Sequence, residues 1–111
     1  MKKAEQIEIN NFCNEHFNKA MEERRKMYSG ERHYKKLRYC NAEVLETENY
    51  YLLRSYNTFI ACILKNSDIL IDVLRTEYGY TSTSAQHIAK FNLDYCKGSW
   101  GCVERYTARP I

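Results

Sequence analysis

The hydrophobic pattern of the chain changes its period near residue 42, and this change limits the fold to a long helix followed by a sheet. From about Lys3 to Tyr28, apolar residues recur at helical spacing and form one stripe opposite a polar face. Ser29 and Gly30 follow, and glycine just past the last turn is a common helix C-cap. We therefore predict an N-terminal amphipathic helix within residues 1–30.

Beyond residue 42, short runs rich in tyrosine, leucine and β-branched residues predict strands. Turn signals separate these runs, which lie at 42–47, 50–56, 58–64 and 69–74. Short turns favour antiparallel neighbours, so the pattern predicts a meander of three or four strands. Cys102 to Tyr106 adds a last candidate strand, which gives an antiparallel sheet of 3–5 strands. The basic stretch from Glu31 to Cys40 has no clear period.

A second helix is predicted after the sheet. Thr83 and Gln86 fit a capping box at its start. Three apolar residues then share one helical face, which we expect to pack on the sheet against Ile60 and Ile63: these residues are Ile88, Phe91 and Tyr95. The predicted fold class is therefore α+β, in a single domain of residues 1–111 whose sheet and helix core spans 42–106.

The composition gives expectations about location. The longest apolar run, Phe59 to Leu64, has six residues, whereas a membrane-spanning helix needs about 20. No apolar segment follows Lys2 and Lys3, so we expect no secretory signal and a cytoplasmic protein. The five cysteines are an odd number, and together with the expected compartment this argues against a disulfide framework.

The positive charge is concentrated near the N-terminal third of the chain. Between Lys19 and Arg38 the formal charge is +5, and the rest of the chain carries −2. Such asymmetry indicates a polyanionic partner or a basic protein interface. Tyrosines interleave with the cations, and they suit both stacking on bases and contact with proteins. The candidate partner-binding residues are Arg24, Arg25, Lys26, Arg32, Tyr34, Lys35, Lys36 and Arg38.

One set of residues has the chemistry of a structural zinc site. Cys13 and His16 are three apart on the first helix, and Cys96 and Cys102 flank the loop between Gly98 and Gly101 around Trp100. Together they form a Cys3His set, which suits tetrahedral zinc. Ordinary buried or free thiols are the alternative interpretation. Two further residues are alternative ligands, namely His33 and Cys40. No other cofactor is expected.

The sequence contains no familiar catalytic motif. It lacks G-x-S-x-G, a glycine-rich phosphate loop and H-E-x-x-H. His87 lies near a helix start, where capping or packing is its expected role, and helix capping explains the hydroxyls of Ser82, Thr83 and Ser84. We therefore predict a protein that is not an enzyme, with a small metal-dependent enzyme as the weakest alternative class.

Two segments carry a resemblance to a known family. The segment from Leu53 to Ala61 resembles an SY-x-T-x-I/V-A strand pair, and the segment from Tyr80 to Phe91 resembles an S/T-x-TS-x-HI-x-x-F helix start. In this order they resemble a domain of unknown function found in small phage and mobile-element proteins of Gram-positive bacteria, over residues 50–106. The resemblance implies strands before one helix, no known catalytic residues, and a setting in which small proteins inhibit host defences.

These observations predict a small non-enzymatic binding protein. The leading hypothesis is an anti-CRISPR-type inhibitor that binds a larger protein or nucleoprotein complex of the bacterial host. The alternative is a nucleic-acid-binding accessory protein that uses the basic region from Lys19 to Arg38. No membrane partner is expected.

Overall fold

The computed structural model describes residues 3–97 and 101–111, so the predicted loop around Trp100 lies largely outside the described residues. Its centre is a six-stranded sheet in the order β1-β2-β3-β4-β5-β6. The strands are Lys35–Lys36, Ala42–Glu46, Tyr50–Ser55, Thr58–Leu64, Ile69–Asp72 and Glu104–Thr107. The helices are α1 (Lys3–Lys26), α2 (Leu74–Glu77) and α3 (Ser82–Tyr95). The predicted α+β class is confirmed.

The N-terminal helix is close to its predicted length. It ends at Lys26, two residues before the predicted end, and a short 3-10 turn at Ser29–Glu31 follows. At its C-terminal end, Glu23 accepts hydrogen bonds from the Thr47 hydroxyl and the Asn49 backbone, at 2.7 and 2.9 Å. These bonds attach the end of α1 to the turn between β2 and β3.

The sheet has more strands than predicted, and it is mixed rather than antiparallel. Strands β1 to β5 are consecutive antiparallel neighbours, but β6 runs parallel to β5. A parallel neighbour requires a crossover, which α2 and α3 supply. Strand β1 has only two residues and comes from the basic stretch that lacked a clear period. The strand predicted at 69–74 ends at Asp72, because the chain turns into α2.

The second predicted helix is α3, which begins at Ser82, and its N-cap is Thr81 rather than the predicted Thr83. Thr81 has an extended backbone, and its hydroxyl accepts a 3.2 Å hydrogen bond from the Ser84 N–H. This geometry satisfies one of the free donors of the first helical turn. A threonine cap was therefore correctly predicted, but it was placed two residues too late in the sequence.

The sheet is buried on both faces. On one face, Ile60 and Ile63 share a core cluster with Ile88 and Phe91 of α3, as predicted. On the other face, α1 contributes three buried residues to a second cluster, which are Cys13, Phe17 and Ala20. The molecule thus has three layers, with the sheet between α1 and α3. None of the described helices is long and apolar enough to cross a membrane.

Candidate functional site

Arginines and aromatic rings alternate on the α1 side of the sheet, where β1 to β4 begin or end. The guanidinium carbon of Arg54 lies 3.9 Å from the ring centroid of Tyr34 and 5.8 Å from that of Phe59. The guanidinium carbon of Arg24 lies 4.8 Å from the Phe59 centroid, and Arg24 Nε donates a 2.8 Å hydrogen bond to the Tyr34 hydroxyl. We call these four residues the Arg–aromatic cluster.

Strand register explains how Arg54 enters this cluster. Arg54 is paired with Glu43 on β2 and with Phe59 on β4, next to a register shift between Leu53 and Arg54. One Arg54 terminal nitrogen donates to Glu43 Oε1 at 2.6 Å. Its Nε is buried and has no hydrogen-bond partner among the described residues. The Tyr34 ring face, which attracts cations, covers the guanidinium there.

Arg32 fixes the loop that carries Tyr34. Its Nε donates to the Arg24 carbonyl at 3.1 Å, and a terminal nitrogen donates to the Arg25 carbonyl at 3.4 Å. The last carbonyls of a helix have no partner within the helix and favour cations. Arg32 therefore caps the C-terminus of α1 through its side chain and holds the loop against Arg24.

The lysines of β1 lie beside the cluster at a sheet edge. Lys35 and Lys36 are both exposed, and β1 is the first strand in the sheet order. Lys36 and Glu43 also line an open cleft of about 290 Å³, together with Cys40, Asn41, Ala42, Tyr56 and Asn57. Glu43 also accepts the hydrogen bond from Arg54, so the cleft adjoins the Arg–aromatic cluster at this residue.

The remaining predicted cations lie elsewhere. Arg25 is exposed and forms an ion pair with Glu22 at 3.5 Å, and its neighbour Lys26 is exposed. Arg38 donates two hydrogen bonds to the Asp94 carboxylate on α3, at 2.8 and 2.7 Å. This bidentate contact raises the pKa of Arg38 and lowers the pKa of Asp94. The basic segment therefore does not form one continuous charged surface.

Two members of the cluster, Arg54 and Phe59, were not predicted from the sequence. Both lie outside the basic region, within the strand segment that carried the family resemblance. The interleaving of arginine and tyrosine was the available signal, but only the pairing of β2, β3 and β4 brings these two side chains to Tyr34.

The structure does not bring the four predicted zinc ligands together. Cys13 is buried between α1 and the sheet, and Nδ1 of His16 lies 2.8 Å from the Tyr50 hydroxyl. Cys96 and Cys102 pack against the core cluster on the α3 face and form a disulfide with each other. The sheet separates the two pairs, so the structure does not assemble the predicted Cys3His set. The disulfide also differs from the expectation that the chain has no disulfide framework.

The alternative ligands do not complete a metal site either. His33 is exposed, and Cys40 Sγ accepts a 3.1 Å hydrogen bond from Lys90 Nζ. Among the described residues, one group of three potential ligands has its donor atoms within 4.8 Å of one another, and it contains Asp68, Cys96 and Cys102.

His87 belongs to a buried polar network under the start of α3. Its Nδ1 lies 2.8 Å from the Ser55 hydroxyl, which lies 3.1 Å from the Ser84 hydroxyl. All three residues are buried. Burial lowers the pKa of His87, and the nearby Lys90 lowers it further. These contacts fasten α3 to the end of β3, as expected for a packing histidine.

Comparison with known families identifies the class of domain. Residues 25–105 match the model of the Family of unknown function (DUF8033), and the chain belongs to this family. The match starts well before residue 50, where the resemblance from the motifs began, and so includes Tyr34 and β1. No curated protein and no solved structure matches the chain.

Proposed function

We propose that this chain is a small non-enzymatic binding protein, and that it contacts a partner protein through the Arg–aromatic cluster and the adjacent edge of β1. The observation that carries this proposal is the fixed position of Arg54 between the Tyr34 ring and the Glu43 carboxylate. Arginine and tyrosine are frequent hot spots of protein interfaces. Side chains that are ordered before binding lose less conformational entropy when they bind.

The ion pairs of the basic region favour a protein partner over nucleic acid. Arg25 pairs with Glu22, Arg38 pairs with Asp94, and Arg32 caps α1. Cations that are already paired within the chain contribute less to phosphate binding, because less counterion release is gained per contact. Arginine and tyrosine are instead enriched at protein interfaces, whose rim is polar.

The proposed setting is a bacterial cell that carries a phage or mobile element. The proposed partner is a host defence protein or nucleoprotein complex, which the chain would inhibit as anti-CRISPR proteins do, by occupying a surface. The support for this setting is the resemblance of the segments 53–61 and 80–91 to small phage and mobile-element proteins. The proposed location is accordingly the cytoplasm.

A nucleic-acid partner is the second candidate, and one observation favours it. Lys35 and Lys36 are exposed and form no ion pair with any described residue. They directly follow Tyr34, so two open cations lie next to an aromatic ring. Cations beside aromatic rings are typical of single-strand binding surfaces.

The deciding experiment compares two charge-reversed variants of equal net charge. The test variant carries Lys35→Glu and Lys36→Glu, and the control carries Lys3→Glu and Arg109→Glu, which are exposed far from β1. Each is titrated with single- and double-stranded DNA and RNA at about 100 mM salt. Each is also used to enrich partners from nuclease-treated bacterial lysate, and the affinity of each identified protein is then measured with purified components.

We expect weak binding to all nucleic acids, and a protein partner whose affinity falls about tenfold or more in the test variant, mainly through slower association. The control variant should bind like the parent. Tight, salt-sensitive binding of the parent to any nucleic acid would make the second candidate the better one. A protein partner that binds both variants equally well would show that β1 is not the contact surface.

A further inference from the structure

We propose that Asp68, Cys96 and Cys102 form a zinc site in the reduced protein, and that zinc binding and the Cys96–Cys102 disulfide exclude each other. This site is different from the Cys13 and His16 pair, which lies on the other side of the sheet. It is also independent of the proposed partner surface, because none of its ligands belongs to that surface.

The three candidate ligands converge from three parts of the fold. Asp68 lies in the turn before β5, Cys96 is the C-cap of α3, and Cys102 lies shortly before β6. Their donor atoms all lie within 4.8 Å of one another. The Cα atoms of the two cysteines are 4.9 Å apart, which brings both thiolates within reach of one cation bound at about 2.3 Å from each sulfur.

Asn92 positions both cysteines. Its Oδ1 accepts a 2.8 Å hydrogen bond from the Cys102 N–H and lies 3.3 Å from Cys96 Sγ. The chain passes so close to this amide that a Cβ at Gly101 would lie 2.4 Å from Asn92 Nδ2. Gly101 also has a φ of +103°, which side chains other than hydrogen rarely allow. The close approach of the backbone therefore fixes Cys102 over the end of α3.

Asp68 is fixed by backbone contacts on both sides of the cysteine loop. Its Oδ1 accepts a 2.8 Å hydrogen bond from the Lys97 N–H, and its carbonyl accepts a 3.2 Å bond from the Val103 N–H. Asp68 itself has a left-handed backbone, with a φ of +53°. The residues next to Cys96 and Cys102 thus orient the carboxylate toward the two sulfur atoms.

The donor set suits zinc better than a hard cation. Two thiolates and one carboxylate match the ligands that Zn²⁺ accepts, and a water completes the tetrahedron. Calcium and magnesium prefer oxygen ligands alone. The two cysteines can serve zinc only as thiolates, so the oxidised pair cannot bind it.

The exchange between the two states is a balanced two-electron reaction. With a peroxide as the oxidant, each thiolate gives up one electron, the sulfur–sulfur bond forms and Zn²⁺ is released. The oxygen–oxygen bond of hydrogen peroxide accepts the two electrons, and with two protons it yields two molecules of water. A small-molecule dithiol reverses the reaction, because its own oxidation to a disulfide returns two electrons to the cysteines.

The test uses the full chain, reduced with a phosphine under argon and titrated with Co²⁺ as a spectroscopic probe of thiolate ligation. We expect a thiolate-to-cobalt absorption band that Zn²⁺ abolishes, with about one equivalent of either metal bound per chain. Asp68→Asn should weaken metal binding about tenfold or more. Cys40→Ser is the matched control, because it removes a half-buried thiol outside the site, and it should bind like the parent.

Peroxide treatment before titration should abolish the band and leave one disulfide, between Cys96 and Cys102, in a peptide map. The proposal is overturned if the reduced parent shows no more band than a Cys96→Ser, Cys102→Ser variant, or if Asp68→Asn binds as tightly as the parent. If the cysteine variant does not fold, the test is made on the parent protein alone. Zinc must then protect Cys96 and Cys102, but not Cys40, from iodoacetamide, and equal modification with and without zinc refutes the site.

Discussion

Arg54 lies over the ring of Tyr34, with its guanidinium carbon 3.9 Å from the ring centroid, and the two residues belong to segments that are separated by strand β2. Between them, Glu43 on β2 accepts a 2.6 Å hydrogen bond from the same guanidinium. One side chain therefore connects the loop before β1, strand β2 and strand β3. Because β1 has only two residues, this contact adds a side-chain attachment between the segment before β1 and the rest of the sheet.

Replacing Arg54 should therefore destabilise the whole fold. Arg54→Ala removes the cation over the ring and leaves Glu43 without its partner, so we expect a loss of about 1–3 kcal/mol in the free energy of unfolding, measured in urea. Arg54→Lys keeps the charge but loses the flat guanidinium, and it should recover only part of this loss. Arg25→Ala breaks an exposed pair and should change stability by less than about 0.5 kcal/mol. Equal losses for Arg54→Ala and Arg25→Ala would contradict this role.

Phe91 is the largest fully buried side chain of the core between α3 and the sheet. Phe91→Ala should cost about 3–5 kcal/mol, because it removes buried apolar surface and leaves a cavity. That is near the whole stability of a small domain, so the variant should melt at a much lower temperature. Leu93→Ala, two residues along the same helix at a side chain that is 51% exposed, is the control and should melt close to the parent. A Phe91→Ala variant that melts within a few degrees of the parent would show that α3 contributes little to the core.

Hydrophobic period predicted the long elements and the short strands β2, β5 and β6, but it did not predict β1 or α2. Helix α1, strands β3 and β4 and helix α3 each carry their own pattern over several residues, so local sequence identifies them. Strand β1 has no pattern of its own and forms because β2 pairs with it. The parallel direction of β6 depends on the crossover through α3, which a local pattern does not specify.

The types of residue at the site could be predicted from the sequence, but which of these residues lie together could not. The cations and tyrosines of the basic region were recognised. However, Arg25 and Arg38 form ion pairs with Glu22 and Asp94, and they do not join the Arg–aromatic cluster. Arg54 joins Tyr34 only through the register of three strands. The four predicted zinc ligands are not grouped for a related reason: helical spacing placed Cys13 and His16 on α1, but the sheet lies between them and the other two cysteines.

The buried His87 should make stability fall in mild acid. Burial and then Lys90 lower the pKa of His87 in the folded state, so below the ordinary pKa of about 6.5 the unfolded chain binds more protons than the folded one. Stability is therefore fully present above about pH 7 and declines as the pH falls toward the folded pKa, by at most about 1.4 kcal/mol per pH unit for one group.

Urea unfolding of the parent and of His87→Gln between about pH 7.5 and 5.5 tests this dependence. The variant should show a shallower decline, because glutamine does not titrate. Some decline should remain, since burial also lowers the pKa of His16. Identical slopes for His87→Gln and the parent would remove His87 as the source.

We expect that Gly101 does not tolerate any side chain, whereas Gly30 tolerates one. A Cβ at Gly101 would meet the Asn92 side chain at 2.4 Å, and its φ of +103° disfavours alanine in any surroundings. We expect Gly101→Ala to cost about 1–3 kcal/mol in urea unfolding. Gly30 has no atom within 4 Å of its ideal Cβ, so Gly30→Ala should change stability by less than about 0.5 kcal/mol.

A double-mutant cycle separates the two causes of the Gly101 effect. In an Asn92→Ala background the close contact is gone, so Gly101→Ala should cost less there than in the parent, and the remaining cost reports the unfavourable φ. Both variants should be measured with the cysteines oxidised and again after reduction, because Asn92 also orients Cys96 and Cys102. If Gly101→Ala costs no more than Gly30→Ala in either state, the backbone does not pass Asn92 as closely as the structure places it.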